Sequence, residues 1–173
     1  MRNIFILSLF LPAFLMAQVG NDFKFERIIF HTTGCYGFCS VYHLEIDSNK
    51  NAKLFSETVY KYINKGSYIK DSSRIGYFQG RIADTTFNKL VNEIQTIGID
   101  SLTFDGANCC DAPIKTIIIY YNNKRKYLRS MFPPNKARRL VSLLYEICSV
   151  NTFRKSNGKF EIELEKMSAE KLQ

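Results

Sequence analysis

The segment with the clearest chemical potential contains two cysteines. Cys35 and Cys39 lie four positions apart in the sequence TGCYGFCSVYHL, which spans residues 33–44. Gly34 and Gly37 permit the backbone bends that would place the two sulfurs. Three chemistries fit such a pair: a structural disulfide, a reversible redox dithiol, or a pair of soft thiolate ligands for copper or zinc.

The cysteine count favours a disulfide and leaves its partner open. The chain has five cysteines, so at least one thiol stays unpaired. We predict that this thiol is Cys148, because it lies on the apolar stripe of a predicted helix, where a cysteine behaves as a small hydrophobic side chain. The other four allow three pairings, which the sequence does not separate: Cys35, Cys39, Cys109 and Cys110. The redox interpretation is weaker, because thiol-redox motifs usually have Cys-x-x-Cys at the start of a helix, whereas here the spacing is one longer and a strand follows.

Histidine could complete a metal site at the same turn. His31 and His43 are the only histidines, and they flank the turn on both sides. With Cys35 and Cys39 they would form a ligand set for copper or zinc. Each also has an ordinary interpretation, since His43 falls on the polar face of a predicted strand and His31 could bond a nearby carbonyl. We therefore predict no cofactor and keep copper or zinc as the alternative.

A second cluster of chemically useful residues lies in the linker before a late strand. This linker contains Cys109, Cys110 and Asp111, followed by Pro113. We hypothesise a binding cleft between the linker and the Cys35–Cys39 turn, with Tyr36, Tyr42 and Asp111 as its residues. The ordinary role of Asp111 before Pro113 is to form a turn.

The periodicity of the chain predicts a two-layer α+β fold. Two helices with one apolar stripe each are predicted, the first capped by Asp84 and ended by Gly98, the second begun at Pro133-Pro134. Since hairpin-linked strands are antiparallel, we expect a mainly antiparallel sheet with both helices packed on one face. Residues 59–74 are interpreted as a loop or a weak strand pair. The predicted strands are residues 25–32, 41–47, 52–58, 75–82, 114–121 and 124–130.

The ends of the chain set the domain limits. Residues 1–17 have the pattern of a signal peptide, with cleavage near Ala17. Residues 18–150 are expected to form a single α+β domain. Residues 151–173 would be a C-terminal extension with a short edge strand at 160–164 and a frayed tail. We therefore expect a secreted or periplasmic protein.

Charge and motifs exclude several function classes. The net charge is +8, but the basic residues are scattered and no groove-reading motif accompanies them, so we predict no nucleic-acid partner. The N-terminal apolar run is too short to span a bilayer, so we predict no transmembrane span in the mature chain. No nucleotide-binding, zinc-protease or serine-hydrolase motif is present, and we name no catalytic residue. A monomer is expected.

One family carries the same motif. The sequence GCYGFCSVY at residues 34–42, with Asp111-Ala112-Pro113 before a late strand, resembles the domain-of-unknown-function family 6438, which is found in secreted bacterial proteins. Ser40 stands where that family's pattern usually has proline. The resemblance covers about residues 25–150, and it implies a fold family and an extracytoplasmic setting but no activity.

These observations lead to one functional prediction and one alternative. We predict a non-catalytic binding or structural module of the cell envelope, with an unidentified envelope partner or ligand. The alternative is a thiol redox or soft-metal protein that uses Cys35 and Cys39.

Overall fold

The computed structural model describes residues 23–64, 66–107, 109–149 and 152–163. They form a seven-stranded sheet, a two-stranded hairpin and two helices, which confirms the predicted α+β class. The strands of the large sheet are β1 Phe25–Thr32, β2 Val41–Asp47, β3 Asn51–Thr58, β6 Gly76–Arg81, β7 Lys115–Tyr121, β8 Lys124–Ser130 and β9 Arg154–Lys155. The hairpin is β4 Tyr60–Asn64 with β5 Ser67–Lys70, and the helices are α1 Asp84–Thr96 and α2 Arg138–Ser149.

The large sheet is antiparallel throughout. Its strand order is β8-β7-β1-β2-β3-β6-β9, and each neighbouring pair runs antiparallel. Short turns join β2 to β3 and β7 to β8. Asn122 and Asn123 make the second turn with φ values of 49° and 57°, which asparagine tolerates better than most residues. This connectivity confirms the predicted mainly antiparallel sheet.

Alternation along the strands creates one face for the helices. In β2, Tyr42, Leu44 and Ile46 are buried, while the residues between them are partly exposed. Both helices bury their apolar stripes on the same face and share one core with it. The fully buried members of this core are Ile28, Phe30, Leu44, Ile46, Leu90, Ile94, Ile117, Ile119, Ala137, Leu140, Leu144, Ile147 and Cys148.

The ends of α1 show one confirmed and one wrong expectation. Gly98 has a φ of 65° just after the helix, as predicted for a left-handed terminus. Asp84 was expected to cap the start, but Ala83 holds that position and no side chain caps the helix. Asp84 is the first helical residue, and its carboxylate instead pairs with Lys50 at 3.0 Å.

The second face of the sheet is covered by the chain itself. Residues 160–163, here called the C-terminal strap, lie on this face, with Ile162 against Ile29 and Ile118. The Phe160 ring meets Tyr77 edge-on, with centroids 5.1 Å apart. The sequence places an edge strand at 160–164, but residues 160–163 are in no strand, and β9 is the edge strand next to β6. Docking on a sheet face buries every second residue just as a strand does, so the two arrangements share one pattern.

Two sequence predictions concern residues that the structure does not describe. The predicted signal peptide at residues 1–17 lies outside the described residues, as does the tail from residue 164. Among the described residues, neither helix has the length and apolar character that a membrane crossing requires.

Candidate functional site

The turn between β1 and β2 is closed by a disulfide. Cys35 and Cys39 are bonded to each other, with their Cα atoms 5.6 Å apart. Thr32 fixes the base of the turn, because its hydroxyl donates to the Ser40 carbonyl oxygen at 3.1 Å and accepts from the Tyr42 amide at 2.9 Å. Residues 33–40 are therefore held at both ends and are here called the disulfide loop.

The linker before β7 lies against this loop, as hypothesised from the sequence. The Tyr36 amide donates to the Asp111 carboxylate. Thr33 and Ile114 exchange two hydrogen bonds, one between backbones at 3.1 Å and one from the Ile114 amide to the Thr33 hydroxyl at 2.9 Å. Asp111 thus anchors the loop instead of serving only its own turn.

A cleft opens beside the disulfide loop, between it and α2. Its volume is about 460 Å³. Tyr42 is the one residue of the hypothesised set that lines it, since Tyr36 points into solvent with 96% of its surface exposed. The walls are formed by Cys39, Ser40, Tyr42, Pro113, Ser142, Tyr145, Glu146 and Ser149.

The titratable hydroxyls of this cleft stay protonated at neutral pH. Burial raises the pKa of Tyr42, and burial raises the pKa of Tyr145 to about 12. Both phenols can donate hydrogen bonds, but neither can serve as a base near neutral pH.

The cysteines outside the loop are free. Cys109 and Cys110 are exposed, and their sulfurs lie 2.7 Å apart. The hydrogen bond from Cys110 raises the pKa of the Cys109 thiol. Cys148 is fully buried in the core, where burial raises its pKa, as expected for an inert thiol. Three cysteines are thus unpaired, and the expectation of a single free thiol is wrong because Cys109 and Cys110 stay unbonded.

The four proposed metal ligands do not form one site. The disulfide occupies both sulfurs of Cys35 and Cys39, so neither is a thiolate. His31 and His43 bond to each other on the second face of the sheet, with His43 stacked on Phe55 at 5.5 Å. The residues that the structure describes contain no group of three or more side chains suited to hold a metal ion.

Exposed aromatic side chains lie next to the disulfide loop, on β4 and β5. Phe38 stacks on Tyr68 with centroids 5.1 Å apart and meets Tyr60 edge-on at 5.4 Å. Tyr62 meets Tyr68 at 5.4 Å from the opposing strand. These four residues are here called the aromatic surface. Phe38, Tyr62 and Tyr68 expose 55%, 56% and 41% of their area, which is unusual for neighbouring aromatic side chains.

Sequence reasoning missed this surface. Residues 59–74 were interpreted as a loop or a weak strand pair, and the strand pair is what forms. The available signal was the alternation of Tyr60 and Tyr62 with Lys61, which places both rings on one side of a strand. The stacking of Phe38 on that side depends on the folded loop and has no local sequence signal.

Comparison with known proteins gives one family match. A family model described as Domain of unknown function (DUF6438) matches residues 26–147, which is more than half of the chain. No curated protein matches the sequence.

Proposed function

Because this chain belongs to the family described as Domain of unknown function (DUF6438), we propose its function from its own surface. The protein is an extracytoplasmic binding module of the cell envelope, and it holds a partner protein on the aromatic surface and the disulfide loop. The observation that carries the proposal is the exposed contact of Tyr68 with Phe38 on one side and Tyr62 on the other.

The composition of this surface supports a protein partner. Aromatic side chains are enriched in the centres of protein interfaces, because each ring buries a large apolar area and loses little conformational freedom. Tyr68 contacts both Phe38 and Tyr62, so a partner would cover the three rings together.

The surface is also held in place before any partner arrives. The disulfide restricts the loop that carries Phe38, and the Phe38 ring in turn supports the hairpin. Two-stranded hairpins are marginal alone in water, so this support matters. A preorganised surface loses less entropy on binding.

The hairpin offers a further contact through its backbone. In the described part of the chain, β4 and β5 pair only with each other, so each keeps an open edge. Open edges are available to an added strand, and proteins commonly use them for partner recognition.

The proposed location rests on the disulfide together with the predicted signal peptide. Disulfides persist in oxidising compartments and are rare in the cytosol. The Cys35–Cys39 bond closes a loop of five residues, and this loop carries Phe38 on the proposed surface.

Site-specific photocrosslinking in the producing cells tests the proposal. A photoreactive phenylalanine analogue would replace Tyr62 in one variant and Tyr68 in another. The matched control is Tyr127, which is 39% exposed on the edge strand β8, away from the aromatic surface. We expect one discrete adduct at positions 62 and 68 and none at 127.

The mass of the adduct decides the outcome. A single adduct with another envelope protein supports the proposal, and an adduct of twice the chain mass would show self-association instead. Equal labelling at all three positions, or none at 62 and 68, would contradict it. Fractionation of the same cells locates the protein, and recovery in the cytosol would contradict the extracytoplasmic part.

A thiol redox role for Cys35 and Cys39 is the second candidate. It is favoured by the free thiols of Cys109 and Cys110. These two residues directly precede Asp111, whose carboxylate accepts a hydrogen bond from the Tyr36 amide in the disulfide loop. Equilibration with glutathione mixtures separates the two roles. Reduction of the Cys35–Cys39 bond within the glutathione range supports redox function, whereas reduction only by strong dithiols supports a structural bridge.

A further inference from the structure

A pocket lies beneath the β4–β5 hairpin, on the side away from the aromatic surface. It is here called the hairpin pocket, and its volume is about 370 Å³. Strands β3 and β6 contribute Ser56 and Phe78, the hairpin contributes Lys61, and the short turn after it contributes Asp71 and Arg74. This volume lies in the range of sites for small molecules.

Arg74 gives the pocket a cation with unused donors. One guanidinium nitrogen donates to the Cys148 carbonyl oxygen at 2.9 Å, near the end of α2, and this bond fixes the side chain. Within the described residues, no carboxylate lies close enough to Arg74 for an ion pair. A half-buried guanidinium without a carboxylate partner keeps a planar pair of donors available for an acid group.

Lys61 adds a second cation. Strand alternation directs Tyr60 and Tyr62 toward Phe38 and leaves Lys61 on the pocket side. Lys61 and Arg74 therefore both direct positive charge toward the same space, with Asp71 of the turn close enough for both charges to act on it.

Ser56 supplies a hydroxyl on the pocket wall. The residue is only 2% exposed, and it lines the pocket from β3. Its hydroxyl forms no hydrogen bond within the described residues. The hydroxyl is therefore free to donate to an acceptor bound in the pocket.

One acid group balances part of this charge. Asp71 lines the pocket and accepts hydrogen bonds from the amide and hydroxyl of Ser73 at 3.2 and 2.5 Å. The Ser73 hydroxyl is the main cause that lowers the pKa of Asp71, so the carboxylate stays ionised. Two cations and one anion leave a single positive charge, which one negative charge would neutralise.

The remaining walls are apolar. Leu54, Phe78 and Phe153 line the pocket from β3, β6 and the segment before β9. A ligand that filled this space would place an apolar group against the two rings.

We propose that the hairpin pocket binds a small organic anion with one carboxylate and an apolar arm. The carboxylate takes hydrogen bonds from Arg74 and Lys61, the Ser56 hydroxyl donates to it, and the arm lies against Phe78 and Phe153. This site is separate from the proposed partner surface, because the two use opposite sides of the hairpin.

A titration followed by amide NMR tests this site. The probe is phenylacetate, and phenylacetamide is its uncharged counterpart, each added to millimolar concentration. We expect phenylacetate to shift the amide signals of Ser56, Arg74 and Phe78, with no such shift from phenylacetamide. Lys61→Gln and Arg74→Gln should each weaken binding about tenfold, since each removes a charged hydrogen bond.

Two matched control variants distinguish binding in the pocket from a general effect of removing positive charge. Lys70→Gln removes the same charge from the same hairpin outside the pocket, and Arg81→Gln removes an arginine that also donates to a backbone carbonyl, that of Asn49. Both should leave the affinity unchanged. Lys61 is exposed on the hairpin, so its variant tests the site even if Arg74→Gln destabilises α2.

Four results would overturn the assignment. The first is equal binding of phenylacetamide, and the second is full affinity in both the Lys61 and Arg74 variants. The third is no amide shift at any millimolar concentration. Equally tight binding of inorganic phosphate would also overturn it, because phosphate has no apolar arm.

Discussion

His31 and His43 lie opposite each other on β1 and β2, and their Nδ1 atoms are 2.8 Å apart. The Nε2 atom of His31 lies 2.8 Å from the Glu163 carbonyl oxygen, which can only accept, so this nitrogen must carry a proton. In neutral His31, Nδ1 then accepts and His43 Nδ1 donates. The histidine pair therefore links the strap to the sheet through a defined arrangement of protons.

The histidine pair predicts acid sensitivity. Burial is the main cause that lowers the pKa of His43 below its ordinary value of 6.5. The unfolded chain therefore takes up a proton at higher pH than the folded protein. The contribution of His43 to the free energy of unfolding should be fully present above pH 6.5. It should be lost as the pH falls from 6.5 toward the lower pKa that His43 has in the folded protein.

Denaturant unfolding of wild type and His43→Asn across this range checks the effect. Asparagine keeps a donor near the Nδ1 position but does not titrate, so the variant should lose much of the dependence on pH. The same slope in both proteins would assign the acid sensitivity to other groups.

The disulfide should contribute modestly to stability. It closes a loop of five residues, for which the chain-entropy model gives about 2 kcal/mol. We expect a double Cys35→Ser, Cys39→Ser variant to lose this amount in urea unfolding. Cys109→Ser, an exposed free thiol, is the control and should change little. If reductant leaves the wild type unchanged, the bond does not stabilise the fold.

Thiol alkylation should distinguish three classes of cysteine. In the native protein we expect two alkylated positions, Cys109 and Cys110, because both are exposed. Cys148 should react only after unfolding, and Cys35 and Cys39 only after reduction. Intact mass at each stage counts the additions. Native alkylation of Cys35, or protection of Cys109, would contradict the observed pairing.

The strap should contribute through Ile162. This side chain is 8% exposed and packs on Ile29 and Ile118, so Ile162→Ala should destabilise the protein by about 2 kcal/mol. The neighbouring Glu161 is exposed, and Glu161→Ala should stay within about 0.5 kcal/mol of wild type. Equal effects of the two changes in thermal or urea unfolding would show that the strap is not docked in solution.

The end of α1 should depend on glycine. Gly98 has a φ of 65°, where a Cβ atom is strained, so Gly98→Ala should cost about 1 kcal/mol. Gly158 has no positive φ and open space where a Cβ would lie, so Gly158→Ala is the matched control. A variant at Gly98 as stable as the control would show that the left-handed turn is not required.

Much of the fold could be predicted from the periodicity of apolar residues and from the composition of the turns. The alternation in β2 and the apolar stripe of α2 each indicate that one side of the element is buried. In both cases the buried side packs into the large core. Strand limits were predicted within one residue wherever such alternation was clean. The antiparallel arrangement followed because short turns can join only antiparallel neighbours.

The remainder depends on contacts between distant segments. Spacing alone could not separate the Cys35–Cys39 bond from a bridge to Cys109 or Cys110. The contact of Phe38 with the hairpin, and that of Ile162 with the sheet, also arise only in the folded chain. The contact between the disulfide loop and the linker before β7 could be predicted from the sequence. The position of the cleft between that loop and α2, and the exposed aromatic surface, could not.

The strap and the segment before β9 show that the folded domain extends beyond the segment that the family model matches. The family match ends at residue 147, whereas Phe153 is buried in the main core and Ile162 covers the other face of the sheet. A recombinant fragment trimmed to the matched segment would leave both faces of the sheet partly uncovered. It would tend to aggregate, although its sequence would still be recognised as the whole family domain.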